Sequence, residues 1–201
     1  MSTTLKVSLL AILATLQIGS TASSIVKYET TLRSGTAYRI PSNAIDPADP
    51  FRGRYVTVRP TITMRAPIPP ETVNLLERIQ SGETGYAVLA EDADGFARAA
   101  QLVMQKPAGG DYLEIAHVWP QWQESTVPNT PSVLAGYNLQ FSFDRYYMND
   151  AVAPQAQERA RQAPRANAES RTWLSVRVKN GIGVIEGMFI DGVPIERAVG
   201  K

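Results

Sequence analysis

The sequence predicts an α+β, strand-dominated fold: one antiparallel β-rich domain of about eight strands and two or three helices, behind an N-terminal hydrophobic helix. Three observations predict it. Apolar and polar residues alternate in short runs along most of the chain, as in strands with one face buried. The connections between these runs are mostly too short for a helical crossover, so neighbouring strands should pair antiparallel. Finally, no charge falls between Lys6 and Lys27, which leaves Val7–Val26 as one uncharged stretch.

That stretch is about as long as a membrane-spanning helix needs to be, although Ser, Thr and Gln dilute its apolar character. As a secretory signal peptide it would have its apolar core at Val7–Ile18 and a small-residue cleavage site at Ser20-Thr21-Ala22 or Ala22-Ser23-Ser24. A third reading is the buried helix of a cytosolic protein. The first two place the remainder outside the cytoplasm and divide the chain into an anchor or signal peptide, 1–26, and an extracytoplasmic β-rich domain, 27–201.

The elements follow in order. "KYETTLRSG" extends the helix to a stop at Gly35, and "TAYRI" alternates as a short strand. "PSNAIDPADPFRG", with three prolines, reads as a rigid, extended connection. "RYVTVRPTITM" is a β-branched strand in which Pro60 implies an edge or a bulge. "PPETVNLLERIQSG" is a helix: Pro70 and Glu71 suit its first turn, Gly82 suits its end, and Val73, Leu76 and Ile79 share a face. "GYAVLAE", the turn "DADG" and "FARAAQLVMQ" form a hairpin. "DYLEIAHVW" is a strand and "PQWQESTVPNTPSVLAG" a polar loop. "YNLQFSFDRYY" puts Tyr137, Leu139, Phe141 and Phe143 on one face. "NDAVAPQAQERARQAPRANAES" is a surface helix at best, broken at Pro154 and Pro164. The chain closes with a hairpin through Asn180-Gly181 that returns to Asp191-Gly192. "GRYVTVRP" and "GDYLEIAH" share Gly-x-Tyr-aliphatic-x-aliphatic, so Gly-x-Tyr reads as a way of entering a strand.

Composition narrows the function. With 201 residues the chain suits one domain with a real core. Twenty Lys+Arg against 19 Asp+Glu leave no electrostatic footprint for nucleic acid. No cysteine means no thiol nucleophile or thiolate metal site, and one histidine rules out a multi-His metal centre. No cofactor is implied.

The order of these features resembles a family of bacterial proteins named for a Gly-Asp-Tyr-x-x-Leu-x-Tyr motif, GDYXXLXY. Here the motif is Gly110, Asp111 and Tyr112, with Ile115 in place of Leu and His117 in place of the final Tyr. The surrounding landmarks are also similar: an N-terminal membrane segment, "LRSG", "DPADPFRGRYVTV", "DRYYMND" and the terminal hairpin with "FIDGVPIE". The resemblance implies membrane-anchored topology, with the domain facing the periplasm from the inner membrane, or secreted if the leader is cleaved. It implies no particular chemistry.

His117 follows Leu113 and Ile115 on the alternating pattern, which predicts a half-buried packing residue. Glu91, Asp92 and Asp94 superficially suggest calcium, but the later bidentate Glu of a calcium loop is missing, so a solvated turn is expected. A Ser/Lys hydrolase needs a desolvated lysine beside a serine; Lys106 and Lys179 flank turns and read as solvated. Paired carboxylates for glycoside chemistry have no supporting spacing. The set that stands out is Arg52, Arg54, Asp111, Tyr112, Arg145, Tyr146 and Tyr147, because Arg and Tyr are enriched at binding hot spots. Its structural alternative is that Asp111 caps the Gly109-Gly110 turn or pairs with Arg52 or Arg145 as a fork. The favoured function is a non-enzymatic accessory or interaction protein of the bacterial envelope with an envelope protein partner; an envelope hydrolase and a ligand- or lipid-binding β-barrel are the alternatives.

Overall fold

The computed structural model describes residues 3–45, 55–123, 131–147 and 172–198. Among them lie ten strands and three helices, more strands than expected because two are very short. Helix α1, Thr3–Ser34, runs without a break from the apolar stretch to the residue before Gly35. Strand β1, Thr36–Ile45, starts immediately and continues through "PSNAI", which had been expected to be connection. The rest of that expected connection, 46–53, lies outside the described residues, as does the expected surface helix at 149–170.

Strand β2 is Tyr55–Arg65, helix α2 Pro70–Gln80, and strands β3 and β4 are Tyr86–Glu91 and Ala97–Val103. Strands β5 and β6 are Tyr112–Gln123 and Val133–Phe141, and β7 is Arg145–Tyr147. The chain continues with β8, Thr172–Lys179, β9, Ile182–Ile190, β10, Val193–Pro194, and the single helical turn α3, Ile195–Ala198. Both Gly-x-Tyr echoes place their tyrosine at the first residue of a strand, Tyr55 in β2 and Tyr112 in β5.

All the ladders are antiparallel, and they form one sheet of order β10-β9-β8-β1-β2-β6-β5-β3-β4, with β7 beside β2. Two long strands change partner midway. The first half of β1 pairs with β8 and its second half with β2, while β2 pairs with β7 and then β6 along its other edge. Pro60 falls where that edge passes from β7 to β6, opposite the connection whose Asp144 carbonyl accepts the Val58 N–H at 2.8 Å. A residue without an N–H therefore costs the ladder little there. The loop expected from Pro120 is instead strand: Pro120 faces Tyr137 and Trp122 faces Leu134, because pairing with β6 extends β5 past its local pattern.

Side chains fill the interior. Leu139, Leu174, Val176 and Val178 are fully buried, as the alternation of β6 and β8 predicts, together with Ile40 of β1 and Met188 of β9. On α2, Leu76 and Ile79 are buried and Val73 packs at the edge of the core. The ladders run from β10 to β4, and isolated bridges at Arg39–Phe96 and Leu113–Gly181 bring the start of β4 beside β1 and the start of β5 beside the β8–β9 turn.

Candidate functional site

The loop before β5 carries the residues that drew attention in the sequence. Gly110 has φ +95°, a conformation that glycine adopts without strain, and its carbonyl accepts the Asn180 N–H at 3.2 Å. Asn180 and Gly181, with φ 49° and 86°, form the turn between β8 and β9 that the Asn-Gly pair predicts. The next residue, Asp111, uses both of its acceptors for other strands. Its backbone carbonyl takes the Leu89 N–H of β3 at 2.8 Å, and its carboxylate takes the Tyr38 hydroxyl of β1 at 3.1 Å. Tyr38 thus fills the place expected for an arginine fork or a self-capped turn. Burial, then the negative charge and hydrogen bond of Asp111 and the charge of Glu91, push the Tyr38 phenol up to about 12.

Tyr112 is buried and covers the turn. A Cβ at Gly181 would lie 2.7 Å from the Tyr112 ring, so the packing needs glycine there for space as well as for φ. Its other side meets Tyr86 edge to face, with centroids 5.8 Å apart. Gly110, Asp111 and Tyr112 together tie β1, β3 and the β8–β9 turn to the start of β5. Ile115 is buried beyond them. At Ala116 the register with β6 shifts, so that Ile115 faces Phe141 while His117 faces Gln140. The extra residue reverses the in-out phase: Val118 is buried and His117 is exposed, which corrects the half-buried position expected from alternation.

The remaining candidates form a separate group. Arg145, Tyr146 and Tyr147 make up β7; Arg145 lies 3.7 Å from Asp144, and Tyr147 is exposed. The Tyr146 hydroxyl donates to Glu196 of α3, and burial followed by that hydrogen bond raises its pKa above the ordinary phenol value. Arg52 and Arg54 lie outside the described residues.

Lys106 is exposed. Lys179 donates to the Ser34 Oγ at 2.7 Å, while the Ser34 hydroxyl donates to the Thr30 carbonyl at 2.8 Å. This places a cation at the C-terminal end of α1, where the helix dipole is negative. Asp92 accepts the N–H groups of Asp94 and Phe96 at 2.9 and 2.8 Å and so caps the β3–β4 turn. Among the described residues no group of three His, Asp or Glu side chains converges to hold a metal. Next to the β8–β9 turn, Gly181, Ile182 and Gly183 line a depression of about 210 Å³ with Tyr28, Leu113 and Phe143 and with the polar side chains of Glu114 and Ser142.

Residues 17–188 match the sequence profile of the GDYXXLXY protein family, with the motif residues at the centre of the tie just described. The chain belongs to the GDYXXLXY family. No curated protein and no solved structure matches it. The GDYXXLXY motif thus has a structural meaning in this chain: Gly110 turns the backbone, Asp111 receives Tyr38, Tyr112 covers Gly181, and Ile115 enters the core. His117, at the motif's last position, faces outward. Sequence reasoning missed Tyr38, Tyr86 and Leu89 as partners, since only the strand order brings them to the motif; the Asn180-Gly181 turn was legible from its residue types.

Proposed function

We propose that this protein is a membrane-tethered extracytoplasmic domain, a non-enzymatic accessory or interaction protein of the bacterial envelope. Val7–Val26 is the anchor and the β-rich domain faces the periplasm. The observation that carries this reading is the contrast along α1. Leu10, Leu13, Leu16 and Ile18 are each more than half exposed, so the helix presents to its surroundings apolar surface that a bilayer would cover. Near its other end, Thr31 is buried against the sheet.

An interaction role is supported by the tyrosines and arginine of β7, exposed or half-buried at a strand end. The test is co-purification of the tagged full-length protein from membranes in mild detergent. The expected result is recovery from the membrane fraction with a stoichiometric envelope protein. Recovery from the soluble fraction, with no stoichiometric partner, would overturn the proposal.

A further inference from the structure

The way α1 leaves the domain defines which end faces the bilayer. Thr36, just after the helix, pairs with Val178, and Ser34 meets Lys179, so the end of α1 sits level with the end of β8. Tyr28, about 9 Å back along the helix at 1.5 Å per residue, lines the depression at Gly181–Gly183. The helix therefore runs past the tip of the β8–β9 hairpin before it enters its uncharged stretch. Val26, the last residue of that stretch, is about 3 Å of helix beyond Tyr28.

The junction is braced against swinging. The Gly35 N–H donates to the Thr31 carbonyl at 2.8 Å, and Arg177 donates to the Gly35 carbonyl at 3.3 Å. A Cβ at Gly35 would come within 2.5 Å of the Thr31 carbonyl oxygen and 3.0 Å of that of Val178, so helix and sheet meet backbone to backbone.

The composition of the hairpin tip fits this position. Asn180, Gly181 and Ile182 lie beside Ala108, Gly109 and Gly110, joined by the Asn180–Gly110 hydrogen bond, and none of the six carries a charge. Ala108, Gly109, Gly110 and Asn180 are exposed. Turn chemistry alone accounts for the Asn-Gly and Gly-Gly pairs, but a side-chain-poor tip without charge also loses little hydration when it meets lipid headgroups, and the charges that flank it, Lys179 and Asp111, are held by Ser34 and Tyr38. Lys27 and Tyr28 at the helix exit are residue types that favour the membrane interface.

We propose that this tip, built by the Gly110–Tyr112 motif, is seated in the headgroup layer of the bilayer that α1 crosses, so that the domain rests on the membrane with the depression under Tyr28, which Glu114 and Ser142 also line, facing the polar headgroups. The proposal rests on the anchor reading above, and its test separates the two. Because the chain has no cysteine, single cysteines report position cleanly. Leu13→Cys, Ala108→Cys and Val193→Cys would each be spin-labelled in the full-length protein in phosphatidylcholine–phosphatidylglycerol vesicles. Their accessibility to oxygen, which partitions into lipid, and to an aqueous nickel chelate would then be measured. Val193 is exposed and lies beyond the far end of β9, about 30 Å from the tip at 3.3 Å per residue. Gly109→Cys replaces Ala108→Cys if the latter does not fold, since the nearest atom to a Cβ there is 3.9 Å away.

The expected result is a Leu13 label in lipid, an aqueous Val193 label, and an Ala108 label at interfacial depth with nickel accessibility several-fold below that of Val193. An Ala108 label as water-exposed as Val193, with Leu13 in lipid, overturns the seated tip and leaves the anchor standing. An aqueous Leu13 label overturns both. An Ala108 label shielded from both reagents overturns it in favour of a protein covering the tip, and spin–spin broadening identifies that protein as a second copy.

Discussion

Tyr38–Asp111 and Tyr146–Glu196 are the same chemical device, a phenol donating to a carboxylate, in two different parts of the molecule. Tyr38 lies in the long strand β1 at the middle of the sheet, and its acceptor is 73 residues away at the entry to β5. Tyr146 lies in the three-residue strand β7, and its acceptor is in the single helical turn α3. The first pair joins distant parts of the sheet, with Tyr38 and Tyr112 both buried beside it; the second fastens two peripheral pieces. The same interaction should therefore matter more where breaking it exposes or orphans more of the core.

The largest expected difference between the two regions is in the aromatic side chains. Tyr112→Ala removes the ring that packs on Gly181 and Tyr86 and should cost about 3–4 kcal/mol, as for other buried aromatic truncations. Tyr146→Ala, at a half-buried position, should cost less than half of that. Urea denaturation of both variants measures the contrast, and equal losses would mean that the motif is not the tighter of the two ties.

A smaller effect is expected from the acceptor. Asp111→Ala leaves the Tyr38 hydroxyl buried without a partner, at a cost of about 2 kcal/mol. Asp111→Asn keeps an acceptor oxygen and should lose about 1 kcal/mol or less. Denaturation midpoints for the two variants separate lost charge from lost acceptor. If Asn is as damaging as Ala, the charge matters more than the hydrogen bond.

The smallest effect concerns pH. Both phenols have folded-state values raised above the ordinary tyrosine value, so the folded protein favours their neutral forms. That contribution is complete below pH of about 10 and is lost as pH rises; for Tyr38 the window runs from about 10 to about 12. Stability measured against pH should fall across this window, and Tyr38→Phe should flatten the fall. An unchanged slope in Tyr38→Phe would assign the alkaline loss to Tyr146 or another group.

Much of the local architecture can be read from residue order alone. The Asn180-Gly181 turn, the Asp92-capped hairpin, the buried face of α2 and the inward side chains of β8 all follow from dihedral preferences and burial with a period of 2 or 3.6. The limits of such reading lie at positions whose state depends on a distant strand. Pro41 and Pro120 are in strands because their neighbours supply pairing where local chemistry indicates a loop. His117 points outward because one extra residue in β5 relative to β6 inverts the alternation, and only the partner strand reveals that insertion.

The candidate site divides in the same way. The sequence by itself determined that Gly110 and Asn180-Gly181 are turns, that Tyr112 opens a strand, and that an uncharged helix precedes the domain, since each depends on neighbours a few residues apart. Only the tertiary structure decided that Tyr38 is the partner of Asp111, that Tyr112 covers Gly181, and that Tyr146 belongs to a different cluster. Those contacts follow from the order β8-β1-β2-β6-β5-β3, which is set by how the apolar faces fill one core and by no local pattern.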